Sequence, residues 1–358
     1  MTKQDLQISD DGRPTKGEDW LAPFDFALPE SLIARTPAEP RGASRLLVCD
    51  RTTGSRTATE FQQLEQFLQP GDLLVANETR VLPARLKSQL ERTGRGVEIL
   101  LAHPESDETG PWWAMLGPSR RLRAGDRLLL EETDGAFEIL AGEDNGLRKI
   151  RAEGGTAIEL MERAGHLPIP PYLRREDCAD DRRWYQTVFA SSPGAIAAPT
   201  AGLHFSTEHL GALGAAGIAH TAVTLHVGPG TFLPVRAESA ETHRVLPERY
   251  IVSPEAQSAI ETTKAAGGRV VAVGTTVVRA LESWARAEDA AGWTDLTITP
   301  GYSYGVVDAL LTNFHLPRSS LLLLVAALLG RDELIAAYED AIAQEFRFYS
   351  YGDAMLVR

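Results

Sequence analysis

Cysteine is scarce in this sequence of 358 residues, where Cys49 and Cys178 are the only two. Two thiols cannot build a disulfide framework or a four-thiolate zinc site. Neither cysteine has a second ligand at metal-binding spacing, which also argues against a mixed zinc site. We therefore expect no metal ion and a reducing compartment.

Long hydrophobic runs are also missing. The most apolar stretch covers residues 321–329, whereas a membrane-spanning helix needs about 20 apolar residues. Residues 1–17 are polar and lack the apolar core of a signal peptide. These absences predict a cytoplasmic protein that makes no contact with membranes.

A surplus of positive charge is absent too. The chain carries 36 basic and 49 acidic side chains, for a net charge of −13. Proteins that bind nucleic acid through a broad positive surface have the opposite balance. Any RNA site must therefore be a local basic patch on an acidic body.

Common catalytic motifs are missing as well. The chain has no G-x-x-x-x-G-K-[ST] phosphate loop and no H-E-x-x-H zinc motif. One short match exists, the G-x-S-x-G around Ser303, which Asp308 and His315 follow in the order of a hydrolase triad. Pro300 precedes the motif where a strand should stand, so we keep a hydrolase only as an alternative.

The spacing of turns divides the chain into two kinds of segment. Short strand-like runs separated by turn residues fill 71–154 and predict an antiparallel β-barrel. Helices alternate with strands after residue 155, which predicts a largely parallel sheet. The predicted class is therefore α/β: a discontinuous α/β domain (20–70 and 155–358), an inserted antiparallel β-barrel domain (71–154) and a loose tail (1–19).

Four polar clusters stand at turns, where strands end or helices begin. Ligands of α/β sheets bind at such positions, and helix starts offer free N–H groups to anions. A single histidine or asparagine in a turn is more often structural, but four clusters with three histidines predict a shared pocket. The clusters are NETR (77–80), PTAGLHF (199–205), LHVGPG (225–230) and TNFHLP (312–317).

Two arginine clusters lie near aromatic residues, a combination that suits phosphate contact and base stacking. Each cluster alone would also fit a solvated surface. The first contains Arg120, Arg121 and Arg123, and the second contains Arg174 and Arg175.

Longer ordered motifs give the sequence a specific resemblance. From Phe24 onward the chain closely resembles the S-adenosylmethionine:tRNA ribosyltransferase-isomerase family of the queuosine pathway, whose layout is a β-barrel inserted in an α/β domain. The motifs that carry the resemblance are PRGASR (40–45), PGDLLV (70–75), NETRVLPAR (77–85), LPIPPY (167–172), YQTV (185–188), AAPTAGLHF (197–205), TLHVG (224–228), VGTT (273–276), TNFHLP (312–317) and YSYGDAML (349–356).

The chain departs from the family pattern at two positions. Where the family commonly has H-x-M-H-x-E, this chain has His243 and Glu248 but Leu246 in place of the second histidine. Glu78 stands where aspartate is usual. A role that needs an imidazole at position 246 is therefore not available here.

The resemblance implies a reaction. Such an enzyme moves the ribosyl part of S-adenosylmethionine onto the 7-aminomethyl-7-deazaguanine wobble base of tRNA, giving epoxyqueuosine and releasing adenine and methionine. S-adenosylmethionine is then a cosubstrate, with no separate cofactor, and the chain is expected to act as a monomer.

That chemistry suggests a role for each polar residue type. The sulfonium acidifies the neighbouring 5′ carbon, and His226 or His204 is suited to take its proton. His315 or Asp353 could assist the departure of adenine, and Glu248 could bind a ribose hydroxyl or the sulfonium. Further expected cosubstrate or RNA contacts are Asn77, Arg80, Arg85, Thr275, Thr276, Arg279, Thr312 and Asn313.

Two alternative functions that fit the same residues stay open. One is an RNA-binding protein without catalysis, although such a protein does not need histidine-bearing turns. The other is a relative with a changed acceptor, which the departure at Leu246 suggests.

Overall fold

The computed structural model describes residues 19–232, 239–240, 242–287 and 289–358. The predicted loose tail lies outside the described residues except for Asp19, which pairs with Arg318 at 2.7 Å. The strands are numbered in chain order as β1 (Arg45–Cys49), β2 (Arg56–Glu60), β3 (Leu73–Asn77), β4 (Thr79–Val81), β5 (Arg85–Leu90), β6 (Arg95–Pro104), β7 (Trp112–Gly117), β8 (Arg127–Leu130), β9 (Ala136–Asp144), β10 (Leu147–Glu153), β11 (Ser192–Ala195), β12 (Ala219–Leu225), β13 (Glu248–Ile251), β14 (Val270–Val273), β15 (Ala291–Thr294), β16 (Ala309–Asn313) and β17 (Ala354–Val357).

Helices occupy the connections between these strands. The α-helices are α1 (Ala157–Ala164), α2 (Asp181–Trp184), α3 (Thr207–Ala215), α4 (Pro254–Ala265), α5 (Thr275–Ala287), α6 (Ser320–Leu329) and α7 (Arg331–Ala343). Short 3-10 turns lie at Ala22–Phe24, Glu30–Leu32, Phe61–Phe67, Pro171–Leu173, Thr200–His204 and Pro229–Phe232.

Nine strands form one large sheet in the order β15-β13-β12-β3-β14-β16-β17-β1-β2. The four central strands β12, β3, β14 and β16 are parallel to one another. The flanking pairs are antiparallel, apart from β1 with β17. The α/β class is confirmed, but the sheet is mixed rather than largely parallel.

The β-barrel is confirmed as a closed, six-stranded, antiparallel structure in the order β10-β7-β6-β5-β8-β9. Its strands begin at Arg85, not at residue 71, because β3 belongs to the centre of the large sheet and β4 pairs with β11. The predicted start of the inserted segment is therefore wrong by about fourteen residues.

Apolar side chains fill both faces of the large sheet, as alternation along a strand requires. In β3, Leu73 and Val75 pack with the helices α4, α5 and α6 on one side. Leu74 and Ala76 pack with Phe61 and Phe205 on the other side. A separate core fills the barrel and takes in the apolar face of α1.

The first helix illustrates how local sequence sets its ends. Thr156 accepts a hydrogen bond from the N–H of Glu159, whose carboxylate accepts one from the N–H of Thr156, so the two residues form a capping box. The helix ends before Gly165, whose backbone is extended. A Cβ there would lie 2.0 Å from the carbonyl oxygen of Pro83, so close approach is what requires glycine. Within the described ranges, no helix is long and apolar enough to cross a bilayer.

Candidate active site

The carboxyl ends of β12, β3, β14 and β16 meet at one edge of the large sheet, because these four strands are adjacent and parallel. All of the predicted strand-end clusters reach this edge. Since β17 runs antiparallel to β16, β17 begins at this edge, and the segment before it reaches the edge as well. The polar side chains gathered at the edge are Asn77, His204, His226, Thr275, Thr276, Thr312, Asn313, His315 and Asp353.

Asn77 ties the ends of β3 and β12 together. Its Nδ2 donates to the carbonyl of Leu225 at 2.9 Å and to Oγ1 of Thr276 at 3.2 Å. Its Oδ1 accepts from the N–H groups of Thr79 and Leu225, both at 3.1 Å. Asn77 therefore positions the edge and Thr276, and its amide has little capacity left for a ligand.

His226 stands at the end of β12, between two residues of the small sheet formed by β4 and β11. Its Nδ1 is 2.8 Å from Oγ1 of Thr79. A Cβ on Gly194, which has φ +147°, would lie 2.7 Å from the imidazole ring. Any residue other than glycine at this position would therefore displace the ring. No side chain in the described ranges bonds Nε2, so one ring nitrogen is left for a substrate.

The electrostatic setting keeps His226 neutral. Partial burial, aided by the positive charge of Arg249, lowers the pKa of His226 to about 4, against the opposing charge of Glu78. A neutral imidazole can accept a proton throughout the neutral pH range. His226 thus combines a neutral ring, an unbonded nitrogen and partial exposure, whereas His204 and His315 are buried.

His204 is buried and bonded at both ring nitrogens. Nδ1 lies 2.7 Å from Oγ of Ser44, and Nε2 lies 3.1 Å from Nδ2 of Asn313. That Nδ2 also donates to the carbonyl of Tyr349, which can only accept. Nε2 of His204 must therefore be an acceptor, and the proton sits on Nδ1. Burial lowers its pKa to about 3, so His204 is a positioning group and not the free base that was expected.

His315 and Asn313 lie side by side at the end of β16. Nε2 of His315 bonds Oγ1 of Thr312 at 3.0 Å, and its backbone N–H donates to the Tyr338 hydroxyl at 2.9 Å. Burial lowers the pKa of His315 to about 3. Oδ1 of Asn313 is buried and has no hydrogen-bond partner in the described part of the chain. An unpaired buried acceptor is costly, so this oxygen is suited to receive a donor from a ligand.

The helix α5 begins directly at the edge. Gly274, with φ +98°, turns the chain from β14 into Thr275, the first residue of the helix. The backbone N–H groups of the first helical turn have no partner within the helix and favour anions. Thr275 is buried, and Asn77 orients the hydroxyl of Thr276.

The structure corrects the roles that the sequence suggested for Glu248 and Arg279. Glu248 was expected to touch the cosubstrate and Arg279 to touch RNA, yet the two form a buried ion pair. The other oxygen of Glu248 accepts from the N–H of Gly228 at 2.7 Å. Arg279 also donates to the carbonyls of Thr294 and Leu296. The pair braces the turn that follows His226 and is not open to RNA.

Asp353 is likewise occupied by its own chain. One oxygen accepts from the N–H of Arg45 at 2.9 Å and the other from the N–H of Arg347 at 2.7 Å. The side chain is 2% exposed. Asp353 therefore fixes the turn before β17, and the expected role as an acid is not supported by this geometry.

The predicted RNA-binding arginines fall into two groups. Arg80, Arg120, Arg121 and Arg123 are exposed, as a contact with RNA requires. In the second cluster, Arg174 is exposed but pairs with Glu30 at 2.8 Å. Arg175 makes a two-pronged ion pair with the buried Asp181. Arg175 is therefore a structural residue, which corrects its assignment to RNA.

At position 246, where the family pattern has a histidine, the structure has an apolar side chain. Leu246 is half-buried, and a Cβ on Gly230 would lie 3.1 Å from it. His243, the first residue of the same motif, is buried and bonds Oγ of Ser320 at 2.7 Å. Position 246 therefore offers an apolar side chain in place of an imidazole.

The hydrolase alternative is wrong. Asp308 and His315 flank β16 at opposite ends, and five strand residues separate them by about 17 Å. Asp308 accepts from the N–H of Val270, whereas His315 bonds Thr312. Ser303 lies in a loop that no helix follows before α6. The nucleophile elbow and the triad are therefore both missing.

Sequence reasoning missed several residues of the edge. Ser44 and Thr79 bond His204 and His226, although both lie inside the quoted family motifs, and Gly194 leaves room for the His226 ring. Within the described ranges, no group of three acidic, histidine or cysteine side chains is arranged to hold a metal ion.

Comparison with known proteins identifies the family. A family model described as "Queuosine biosynthesis protein" matches residues 21–357. The chain belongs to the queuosine biosynthesis protein family. This membership confirms the resemblance found in the sequence.

Curated relatives in this family are similar along nearly their whole length. A protein of Anaeromyxobacter sp. (strain Fw109-5) is 50% identical over 94% of this chain and 98% of its own. One of Trichlorobacter lovleyi is 49% identical over 93% of this chain and 98% of its own. Both are named S-adenosylmethionine:tRNA ribosyltransferase-isomerase.

A solved structure shares the fold. The crystal structure of an S-adenosylmethionine tRNA ribosyltransferase from Thermotoga maritima matches with a TM-score of 0.55 and 34% identity. The match covers 94% of this chain and all of that one. The queuosine-family fold therefore extends over the sheet, the edge site and the barrel.

Proposed function

We propose that this chain is an S-adenosylmethionine:tRNA ribosyltransferase-isomerase. It transfers and isomerises the ribosyl moiety of S-adenosylmethionine onto the 7-aminomethyl-7-deazaguanine wobble base of tRNA, with release of adenine and methionine. The observation that carries the proposal is the full-length match to relatives of that name, at about 50% identity.

His226 is the proposed base. Deprotonation next to a sulfonium requires an acceptor that is neutral at the working pH and within reach of the carbon. The lowered pKa keeps His226 neutral, as the first condition requires, and the unbonded Nε2 supports the second by leaving a nitrogen that the substrate can approach. When Nδ1 donates its proton to Thr79, Nε2 carries the lone pair. His204 lacks this freedom because both of its nitrogens are engaged.

The remaining edge residues suit the cosubstrate. The first turn of α5, with Thr275 and Thr276, offers N–H and hydroxyl groups to a carboxylate or ribose oxygen. Oδ1 of Asn313 can accept from an exocyclic amine such as that of adenine. His315, oriented by Thr312, is the group proposed to stand near the departing base. Asn77, Glu248 and Asp353 act by positioning these groups.

The tRNA needs positive surface, and the chain supplies it locally. Arg80 is exposed directly after the strand end that carries Asn77, and Arg120, Arg121 and Arg123 are exposed on the barrel. These four arginines are the proposed phosphate contacts. We also propose a cytoplasmic monomer without a resident cofactor, since the edge site is assembled from one chain. Light scattering of the purified protein would check the oligomeric state.

Adenine release measured by chromatography tests the reaction. Purified protein, S-adenosylmethionine and tRNA carrying 7-aminomethyl-7-deazaguanine should give adenine, and tRNA with unmodified guanine should give none. Release from neither tRNA, with S-adenosylmethionine bound, would favour a changed acceptor and point to Leu246.

His226→Gln tests the base. We expect kcat to fall by about 10²–10⁴-fold, the range lost when a general base is removed. The matched control is His220→Gln, because His220 is exposed and lies on β12, the strand that leads into His226. A fully active His226→Gln enzyme would remove His226 from the mechanism.

A further inference from the structure

Three neighbouring strands bring one side chain each into a row that starts at His226. The backbone N–H of His226 donates to the carbonyl of Arg249 on β13, at 2.9 Å. Arg249 stands directly opposite Trp293 on β15. With strand spacings of about 4.8 Å, the row from His226 to Trp293 spans about 10 Å.

Alternation along the strands fixes the face on which this row lies. Leu225 and Tyr250, the neighbours of His226 and Arg249, are buried in the core. His226, Arg249 and Trp293 therefore point to the opposite, outer face. Trp293 is 53% exposed, compared with 39% for Val188 and 38% for Leu129, the other exposed large apolar side chains in the described ranges. Arg249 is exposed as well and forms no ion pair with any described residue.

The row continues onto the barrel. The ring of His103 meets Trp293 edge-on, with 5.0 Å between ring centroids. On the barrel, His103 stands opposite Trp113, and Trp113 stands opposite Lys149. Nζ of Lys149 lies 5.2 Å from the centroid of the Trp113 ring. The row therefore has three aromatic rings, Trp293, His103 and Trp113, with Arg249 at the end near the candidate active site and Lys149 at the barrel end, where Lys149 also pairs with Glu105.

From this row we infer an RNA-binding strip, made of Arg249, Trp293, His103, Trp113 and Lys149, that holds the single-stranded loop of the tRNA substrate beside His226. This inference rests on the proposed function. Bases stack on aromatic rings, of which Trp293 is the exposed one here, and a neighbouring arginine such as Arg249 binds the phosphates. On a chain with net charge −13, such a strip attracts a polyanion, whereas a second copy of the chain would be repelled.

The geometry also assigns the nucleotide. Trp293 lies about two strand spacings from His226, too far to stack the base that is being modified. Trp293 therefore stacks a neighbouring base of the loop, while Arg249, between the two, contacts the connecting phosphate.

Fluorescence anisotropy with a labelled anticodon stem–loop RNA tests the strip without requiring turnover. Trp293→Ala should raise the Kd about 5- to 150-fold, which corresponds to the loss of one stacked base. Trp293→Phe should keep most of the affinity. Arg249→Gln should weaken binding and lower the salt slope by about one. Leu129→Ala, an exposed apolar side chain on the barrel strand β8, is the control and should bind as the parent does.

Steady-state kinetics provide a second test of the strip. In adenine release, Trp293→Ala should raise KM for tRNA and leave KM for S-adenosylmethionine unchanged. Unchanged Kd in Trp293→Ala and Arg249→Gln, or a parent protein that does not bind the RNA, would overturn the strip. A variant that changes only the oligomeric state would assign Trp293 to self-association instead. A parent that binds the RNA through Trp293 but releases no adenine would contradict the proposed reaction and leave the strip in place.

Discussion

Three histidines meet at the edge of the sheet, and their neighbours give them different capacities. His204 is bonded at both nitrogens, and His315 is bonded through Nε2 and buried. His226 is bonded only through Nδ1 and is partly exposed. Sequence alone could not rank them, because the ranking depends on Ser44, Thr79 and Asn313, which are distant in sequence.

Gly194 is the residue on which the position of the His226 ring depends. Gly194→Ala places a methyl group 2.7 Å from the imidazole, so the ring must shift. We expect kcat for adenine release to fall by up to about 10²-fold, as misplacement of a catalytic group by about 1 Å can cause. KM for S-adenosylmethionine should change little.

Gly211→Ala is the control for that substitution, because nothing lies within 4 Å of the added methyl group. Since Gly194 also has φ +147°, its variant should lose some stability. Melting temperatures of both variants separate that loss from catalysis. A Gly194→Ala enzyme with the parent kcat would show that the ring position does not matter.

His209 lies outside the candidate active site, and replacing it should stabilise the protein. Its ring packs against Phe61 and Phe205, and both ring nitrogens are buried with no hydrogen-bond partner in the described residues. Unpaired buried polar groups cost about 1–3 kcal/mol. His209→Leu should therefore raise the melting temperature by a few degrees.

The gain for His209→Leu should be larger at pH 5 than at pH 7. Burial lowers the pKa of His209, so protonation in acid favours the unfolded chain, and leucine removes that penalty. His220→Leu, at an exposed position, should show neither effect. A lower melting temperature in His209→Leu would contradict the prediction.

At the scale of elements, the sequence predicted the barrel but misplaced β3. Barrel strands such as β5 alternate buried and half-exposed residues, whereas β3 is buried at every position. A continuous apolar run is typical of a central parallel strand, and LLVA at 73–76 is such a run. The signal was present, but the turns on either side of it resembled those of the barrel segment.

The buried pairs between elements could not be predicted. Glu248 on β13 and Arg279 on α5 are 31 residues apart, and nothing local indicates that they meet. The same holds for Arg175 and Asp181, whose charges look like a surface cluster in the sequence. Pairing that arises from tertiary packing leaves no periodic pattern.

The Glu248–Arg279 pair should hold β13 and α5 together. Glu248→Gln keeps a side chain that can accept from the N–H of Gly228 but leaves the Arg279 guanidinium buried without its counter-charge. Breaking a buried pair from one side costs about 3–5 kcal/mol. We expect a large fall in unfolding free energy, measured by urea denaturation, and a lower kcat because the turn after His226 loosens.

A double-mutant cycle with Arg279→Met separates the pair from other effects. Once both charges are gone, the unfolding free energy should recover in part, because the uncompensated charge has been removed. Strictly additive losses in the double variant would mean that the two side chains are not coupled.

At the scale of the whole molecule, the four polar clusters converge on one edge because of the order and direction of the strands in the sheet. Parallel strands place their carboxyl ends at one edge, so residues that follow strands in the sequence converge in space. That is why a shared pocket could be predicted without knowing any contact. The continuity of the RNA-binding strip could not be, because it depends on how the barrel lies against β15.

The same convergence makes folding sensitive to acid. Burial lowers the pKa of His204 and His315 to about 3 and that of His226 to about 4, from an unfolded value of 6.5. These groups are neutral in the folded chain and take up protons when it unfolds. Their stabilising contribution is complete above pH 6.5 and is lost as the pH falls from 6.5 toward 3.

At pH 5 each of these histidines should cost about 2 kcal/mol of unfolding free energy relative to neutral pH. Calorimetry in buffers of different ionisation enthalpy counts the protons taken up on unfolding, and we expect about three from this group at pH 5.5. The melting temperature should fall steadily between pH 7 and pH 5. Because His166, beside Glu132 and Asp177, has a raised pKa and opposes the trend, His166→Gln should make the fall steeper. A flat profile, with no proton uptake, would mean that the pKa values of the edge histidines are the same in the folded and the unfolded chain, which would contradict the effect of burial.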